Sequence, residues 1–426
     1  MNFRCAESEI KDTQENLNQD YLDSFSIGTD TLQGEIGVSG QTELRQILEK
    51  MELWLHPHEG VDIRTRRGLG LNNALFMSTE LLLLGGDKHS ALPLLLIEEP
   101  EAHLHPQMQQ RLMDFLEKRA SDEENGVQVL VTSHSPNLAS KVDIKSVAIM
   151  CGRGEIYPLH PDSTELEPSD YEFLRRFLDV TKANLFFAKG VVIVEGDAEN
   201  ILFPTLAKLI GKSFSENGVS IVNVGHVGLF RYSRIFQRTD GKEMPIKVAC
   251  ITDRDIPPDV ASYVPEERKK ESDYAPEEIK QEVQKLKERD GGPVQTFVSE
   301  KWTFEFDLAY CGLGLQMHIA IQLAKKAKSK GHLSEEEQQD IVTQAQSDFD
   351  QWQDNSLSPE EVAAKVYEPL YKHQASKVET AQFLADHLEK YPPTILWTLF
   401  KQPFGQIPSA VGRGVIFLAN SHPSRR

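Results

Sequence analysis

The 426-residue sequence has no apolar run long enough to cross a bilayer, which excludes a helical membrane span. It has no secretory core either: the polar stretch from Asn2 to Asp23 contains no continuous apolar run. Only four cysteines occur, Cys5, Cys151, Cys250 and Cys311, far apart and without metal-ligand spacing, so a reducing cytoplasm is the expected setting. No Gly-x-x-x-x-Gly-Lys-[Ser/Thr] loop is present to cradle nucleotide phosphates, and there is no internal repeat or long low-complexity tract. Cations are also scarce, 46 Lys and Arg against 65 Asp and Glu, for a net charge of −19. Such a balance counts against a protein that grips phosphate backbone. The objection is limited, because carboxylates that ligate Mg²⁺ are neutralised once the ion is bound and basic patches coexist with an acidic remainder.

What is present is an ordinary globular composition, 39% hydrophobic and 26% charged, in a chain long enough for two domains with a helical insertion. A helix is expected around Leu44 to Leu55. Leu92 to Ile97 and Val127 to Thr132 are short apolar runs ending in polar residues, which predicts buried strands. Between them Met108, Leu112, Phe115 and Leu116 have helical spacing, completing a strand–helix–strand unit of the parallel α/β kind. The segment from Cys151 to about Pro168 is looser, and a domain boundary is expected near Val180. Val191 to Val194, Ser220 to Val224 and Val248 to Thr252 predict three further strands, with a helix after the first that stops at Gly211. A charged, solvated helix is expected from Pro276 to Gly291, and Ser334/Glu337, Ser358/Glu361 and Ser376/Glu379 each have the spacing of a capping box.

The acids at the strand ends carry the chemistry. In an open parallel sheet, ligands gather where strands end and helix N-termini point inward. Glu195 follows one strand-like run and Asp253-Arg254-Asp255 follows another; Glu199 reaches the same place from the first turn of the next helix. So many acids together would stay partly protonated unless cations were bound. Oxygen-only sites suit Mg²⁺ or Mn²⁺, and two such ions roughly 3.5–4 Å apart can drive in-line phosphoryl displacement. An Asp-x-Asp alone is more often a turn or a cap. It is the combination with Glu-Gly-x-x-Glu that is specific.

With these residues the sequence resembles the Toprim domain of topoisomerases, primases and some nucleases, and, with Glu199, Thr303-Phe304-Glu305 and Lys377, the OLD (overcoming lysogenization defect) family of nucleases. The resemblance implies catalytic metal at Glu195, Asp253 and Asp255, a second metal site completed by Glu199, Thr303 and Glu305, and a catalytic Lys377. Lys377 follows the cap Ser376, a helix position where the macrodipole disfavours a cation by roughly 0.3–1 kcal/mol. A phosphate there would reverse that preference; a solvent-facing lysine is the plainer alternative.

Upstream, Leu94 to Pro106 resembles the Walker B and D-loop segment of ABC-type ATPases, which implies Mg²⁺ coordination for Glu98 and water activation for Glu99. Val131-Thr132-Ser133-His134 is similar to the switch-histidine segment. Arg67 to Asn73, with Gly68 and Gly70, occupies the position of the signature loop, although short Gly-rich loops are often only turns. Without a phosphate loop, ATP would bind only if a Walker A lobe came from elsewhere: either the chain is N-terminally shortened or another polypeptide supplies that lobe.

The expectation is therefore an α/β protein with a partial ABC ATPase lobe over residues 1–165 and a Toprim domain with helical insertions over 185–426. It would act on DNA as a two-metal endonuclease or nickase, as a homodimer in the cytoplasm, away from membranes. A Toprim topoisomerase or primase, and a non-catalytic assembly module, are the competing readings. RNA stays open as a substrate, because a two-metal centre acts on the phosphate.

Overall fold

The computed structural model describes residues 3–25, 33–38, 51–56, 69–86, 93–121, 127–152, 154–225 and 228–392. By compactness the chain divides into two units, Met1–Asp143 and Ile144–Arg426.

The first unit begins with α1 (Phe3–Asn16) and an antiparallel pair, β1 (Gln33–Val38) with β2 (Met51–His56). The expected helix through Leu55 is corrected here for its described part, since residues 44–50 lie outside the described residues. Met51, Leu53 and Leu55 recur at every second position, the period of a pleated strand whose amides are satisfied by a partner. Next come α2 (Leu69–Gly86), β3 (Leu94–Glu98), α3 (Pro106–Ala120) and β4 (Gln128–Thr132), with β3 and β4 parallel from Leu94↔Gln128 to Glu98↔Thr132. α3 opens with Pro106, which has no amide to leave unpaired, and packs Met108, Leu112, Phe115 and Leu116 against Ala74, Met77 and Leu81 of α2. The two strands are not fully buried as expected. Leu95, Ile97, Val129 and Val131 join this core, whereas Leu96 and Leu130 are 63% and 62% exposed. A sheet covered on one face turns every second side chain outward.

The second unit starts with a hairpin, β5 (Ala148–Cys151) and β6 (Glu155–Pro158), followed by α4 (Pro168–Phe177). β6 lies in the segment whose composition looked loose; four residues are too few for alternation to register. The central sheet is wholly parallel in the order β10–β9–β7–β8. Its elements in chain order are β7 (Gly190–Val194), α5 (Asp197–Leu209), β8 (Val219–Asn223), β9 (Lys247–Thr252), α6 (Pro276–Lys287) and β10 (Val294–Val298). Every residue of β7 is buried, as its unbroken apolar run requires. α6 buries none of its residues, in keeping with a solvated appendage.

After β10 come the helices α7 (Phe304–Leu308), α8 (Gly314–Lys330), α9 (Glu335–Asp354), α10 (Pro359–Tyr371) and α11 (Lys377–Lys390). Ser334 and Ser358 form full capping boxes with Glu337 and Glu361. Ser376 forms only half of one: its hydroxyl accepts from the Glu379 amide, but Glu379 Oε2 is buried without a partner. α11 packs on both α5 and α8, which brings the N-terminus of a late helix over the sheet.

Candidate active site

β7 and β9 are hydrogen-bonded neighbours running the same way, with Ile193 opposite Cys250, so the residues after each strand emerge at one edge. Thr252 Oγ1 donates to Glu195 Oε1 at 2.5 Å across that edge. β10 flanks β9 with Val298 opposite Thr252, and the next residue, Ser299, donates its hydroxyl to Asp253 Oδ1 at 2.8 Å. The same oxygen accepts the Phe304 amide at 2.8 Å. Asp253 is thus fixed between two strand ends and the start of α7.

Glu199 stands in the first turn of α5 and folds back over Gly196, where a Cβ would meet Glu199 Oε2 at 2.7 Å. A larger residue at 196 would push the Glu199 carboxylate out of this position. Glu305, 5% exposed on α7, accepts Lys377 Nζ at 2.9 Å on Oε2. Lys377 is the first residue of α11, the position at which a helix dipole disfavours a cation; the Glu305 carboxylate supplies the opposing charge.

The electrostatics tie these groups together. Burial, then the charge of Glu305, pushes Glu199 up to about 6, with Lys377 opposing and Glu195 adding a smaller push. The same two causes, in the same order, hold Asp253 well above the usual carboxylate range. Burial works against the Lys377 charge, yet Glu305, Tyr367 and Asp253 beside it outweigh this and raise the ammonium. Glu195, Glu199, Asp253, Glu305 and Lys377 therefore form one cluster.

Two of the sequence-predicted residues sit differently. Asp255 has φ 60° and is held by its main chain, its amide donating to the Trp302 carbonyl and its own carbonyl accepting from Arg268. Its carboxylate has no hydrogen-bond or ion-pair partner among the described residues. Thr303 is buried, and its hydroxyl caps α7 by accepting from the Phe306 amide at 3.4 Å.

Sequence reasoning missed four contributors. Thr252 and Ser299 hold the carboxylates, and their strand-end positions were the available signal. Asp307, 2% exposed, accepts the amides of Glu300, Lys301 and Trp302, and so shapes the turn that delivers Ser299 and Thr303. Tyr367 lies under Lys377, whose Nζ is 5.9 Å from the ring centroid, and packs edge-on against Trp302. Nothing in the local sequence marks Asp307 or Tyr367.

Among the described residues, no three of the His, Cys, Asp and Glu side chains converge as ready ligands of a single ion. The donor set still suits a hard divalent cation. It is made of carboxylate oxygens, and Glu199 and Asp253 are pushed toward protonation in a cluster whose single cationic side chain is Lys377.

In the first unit, Glu98 ends β3 and Glu99 follows with φ 43°, its amide donating to the Thr132 carbonyl at 2.9 Å. His134 Nε2 lies 3.3 Å from Glu99 Oε1, both side chains exposed. Glu101, not singled out by the sequence, accepts Ser133 Oγ at 2.8 Å and the His134 amide at 2.7 Å, which fixes the histidine turn. Gly68 lies outside the described residues. Gly70 stands in the first turn of α2, where an added Cβ would meet the His103 carbonyl oxygen at 2.3 Å.

A parallel sheet with acids at the ends of adjoining strands, joined by a helix-borne lysine, defines a Toprim-type domain, here preceded by a region with Walker B-like acids. Residues 186–255 match the profile described as overcoming lysogenization defect protein-like, TOPRIM domain, and residues 1–139 match the AAA ATPase domain profile. The chain thus carries an AAA ATPase-like region followed by an OLD-like TOPRIM domain.

Among curated proteins the chain is similar to Endonuclease GajA of Bacillus cereus (strain HuB5-5), 25% identical over 162 residues, 32% of this chain and 24% of that protein. It is also similar to the uncharacterized protein YbjD of Escherichia coli (strain K12), 29% identical over 165 residues, 38% of this chain and 28% of that protein. The matches thus span about a quarter of these relatives' length. Among solved structures, the C-terminal region of the Burkholderia pseudomallei OLD protein aligns with 55% of this chain and 98% of its own, at 19% identity and a TM-score of 0.32. No helix among the described residues is long and apolar enough to cross a membrane.

Proposed function

We propose that the chain is a metal-dependent DNA endonuclease or nickase, with residues 185–426 as its nuclease portion and residues 1–165 as a partial ABC-type ATPase domain. The observation that carries the reading is the meeting of Glu195 and Asp253, which follow two adjacent parallel strands, with Glu199, Glu305 and Lys377 brought by the starts of three helices. The name of the relative Endonuclease GajA supports the same class.

Glu195, Asp253 and Asp255 would hold one Mg²⁺ or Mn²⁺, and Glu199, Glu305 and Thr303 a second; bound there, such ions activate water and stabilise the leaving oxygen of a phosphodiester. The chain's own residues prepare the geometry. Ser299 and the Phe304 amide occupy Asp253 Oδ1, so Oδ2 is the oxygen that would serve a ligand. Thr252 orients Glu195. Lys377, shared with Glu305 in the resting chain, supplies positive charge to the phosphate as negative charge builds up on it.

In the first unit Glu98, Glu99 and His134 would serve an ATPase centre completed by a Walker A lobe from a partner chain. The outward Leu96 and Leu130 of the open sheet support such a partner. Homodimerisation, a cytoplasmic setting and a role in phage defence or DNA repair belong to this proposal as implications of the family.

Supercoiled plasmid incubated with Mg²⁺ or Mn²⁺ tests the reading against Glu195→Gln and Asp253→Asn. Nicked or linear product from the parent chain and none from either variant is expected. Relaxation without nicks would instead indicate a topoisomerase, and inactivity in every form a non-catalytic assembly module.

A further inference from the structure

The C-terminal end of α8 is rich in lysine. α8 ends in Lys325, Lys326, Lys328 and Lys330, and a groove of about 640 Å³ between this end and α9 is lined by Lys325, Lys326, Lys328, Asp348 and His373. Lys325 and Lys326 are exposed and have no ion-pair partner among the described residues. Lys328 Nζ donates to the His373 carbonyl at 2.5 Å, and Lys330 pairs with Glu337.

Complementing the helix dipole explains cations in the last turn, Lys328 and Lys330. It does not explain Lys325 and Lys326 a turn further back, with only Asp348 facing them in the groove, in a chain of net charge −19.

The position of the groove matters as much as its charge. His373 is four residues before Lys377, a span of at most about 14 Å of extended chain. Duplex DNA rises 3.4 Å per base pair, so phosphates roughly four base pairs from one held at Lys377 would fall within reach of the groove.

We propose that the Lys325–Lys326 rim of the α8–α9 groove is a docking surface for the phosphate backbone of duplex DNA flanking the cleaved bond. The proposal rests on the nuclease reading. It assigns the two lysines to substrate grip and leaves the chemistry to the acid cluster. Each phosphate contact should contribute about 0.9 to the slope of log affinity against log salt.

Fluorescence anisotropy of a labelled duplex of roughly 30 base pairs with the full chain in EDTA, over a series of salt concentrations, tests it. Lys325→Ala/Lys326→Ala is expected to reduce the salt slope by about 2 and to weaken binding at least about tenfold near 0.15 M salt. Lys325→Arg/Lys326→Arg should instead keep both at the parent level. Lys280→Ala/Lys287→Ala on α6 removes the same charge elsewhere and should leave binding at the parent level. An unchanged slope in the first variant, or an equal loss in the α6 control, overturns the proposal. If the parent nicks plasmid and the α8 variant does so with the same KM, the groove assignment fails alone. A parent that neither binds nor cuts DNA overturns both the groove and the nuclease reading.

Discussion

Lys377 Nζ lies 2.9 Å from Glu305 Oε2, across 72 residues of sequence. Glu305 is almost fully buried and Lys377 about half exposed, so the pair is a desolvated anion held by a cation that water still partly screens.

Lys377→Ala should therefore cost only about 1–2 kcal/mol of stability, well below a fully buried pair. It should nevertheless lower plasmid nicking by roughly 10²-fold or more, because charge stabilisation at the phosphate is lost. Urea unfolding and a nicking time course measure the two effects. A large stability loss with proportionate loss of activity would assign Lys377 to the fold alone.

The raised carboxyls give a pH dependence of definite sign. Glu199 is pushed up to about 6, and Asp253 also lies above its ordinary value, so the metal-free folded chain keeps protons that the unfolded chain has released. Their contribution to stability is present at low pH and is lost as pH rises through the folded values. Burial lowers His318 and His387, which oppose this trend, so the effect is read against Glu199→Gln. Lowering pH from 7.5 to 5.5 without divalent ions should raise the parent's Tm by roughly 1–3 °C relative to that variant. The depressed carboxyls of Asp179, Asp240 and Glu337, each about 2, lose their contributions only in more acid solution. Millimolar Mg²⁺ at pH 7.5 should stabilise the chain and abolish the gain on acidification; differential scanning fluorimetry with and without the ion checks both.

Asp307→Asn replaces an oxygen that accepts two amides, or the one that accepts the Glu300 amide, with a donor. A cost of about 1–3 kcal/mol is expected. Because the same turn delivers Ser299 and Thr303, activity measured well below the variant's unfolding midpoint should also fall. Full activity of the folded variant would separate the turn from the site.

The isolated chain should not retain ATP. Glu98, Glu99 and His134 are arranged at one strand edge, yet the amide cradle and lysine of a phosphate loop are missing from the sequence. Filter binding of radiolabelled nucleotide checks this, and tight retention by the chain alone would overturn the requirement for a second lobe.

The strand ends were legible because a short apolar run followed by acids carries its own signal. Glu195 and Asp253 were found this way, and the serine caps of α9, α10 and α11 by their spacing. Their adjacency was not legible: β9 and β7 are neighbours through backbone pairing, and β10, whose Ser299 grips Asp253, lies 42 residues beyond the end of β9 with weak alternation. Asp307 and Tyr367 act on residues that only the folded chain brings near. The outward Leu96 and Leu130 were misjudged because an apolar run does not reveal whether both faces of its sheet are covered.

α11 docks against α5 and places Lys377 over acids that begin at Glu195. During synthesis the strand-end carboxylates thus emerge from the ribosome long before the cation that counters Glu305. A nascent chain would carry the acids without their lysine, and the cluster would be complete only once a late helix has settled on an early one.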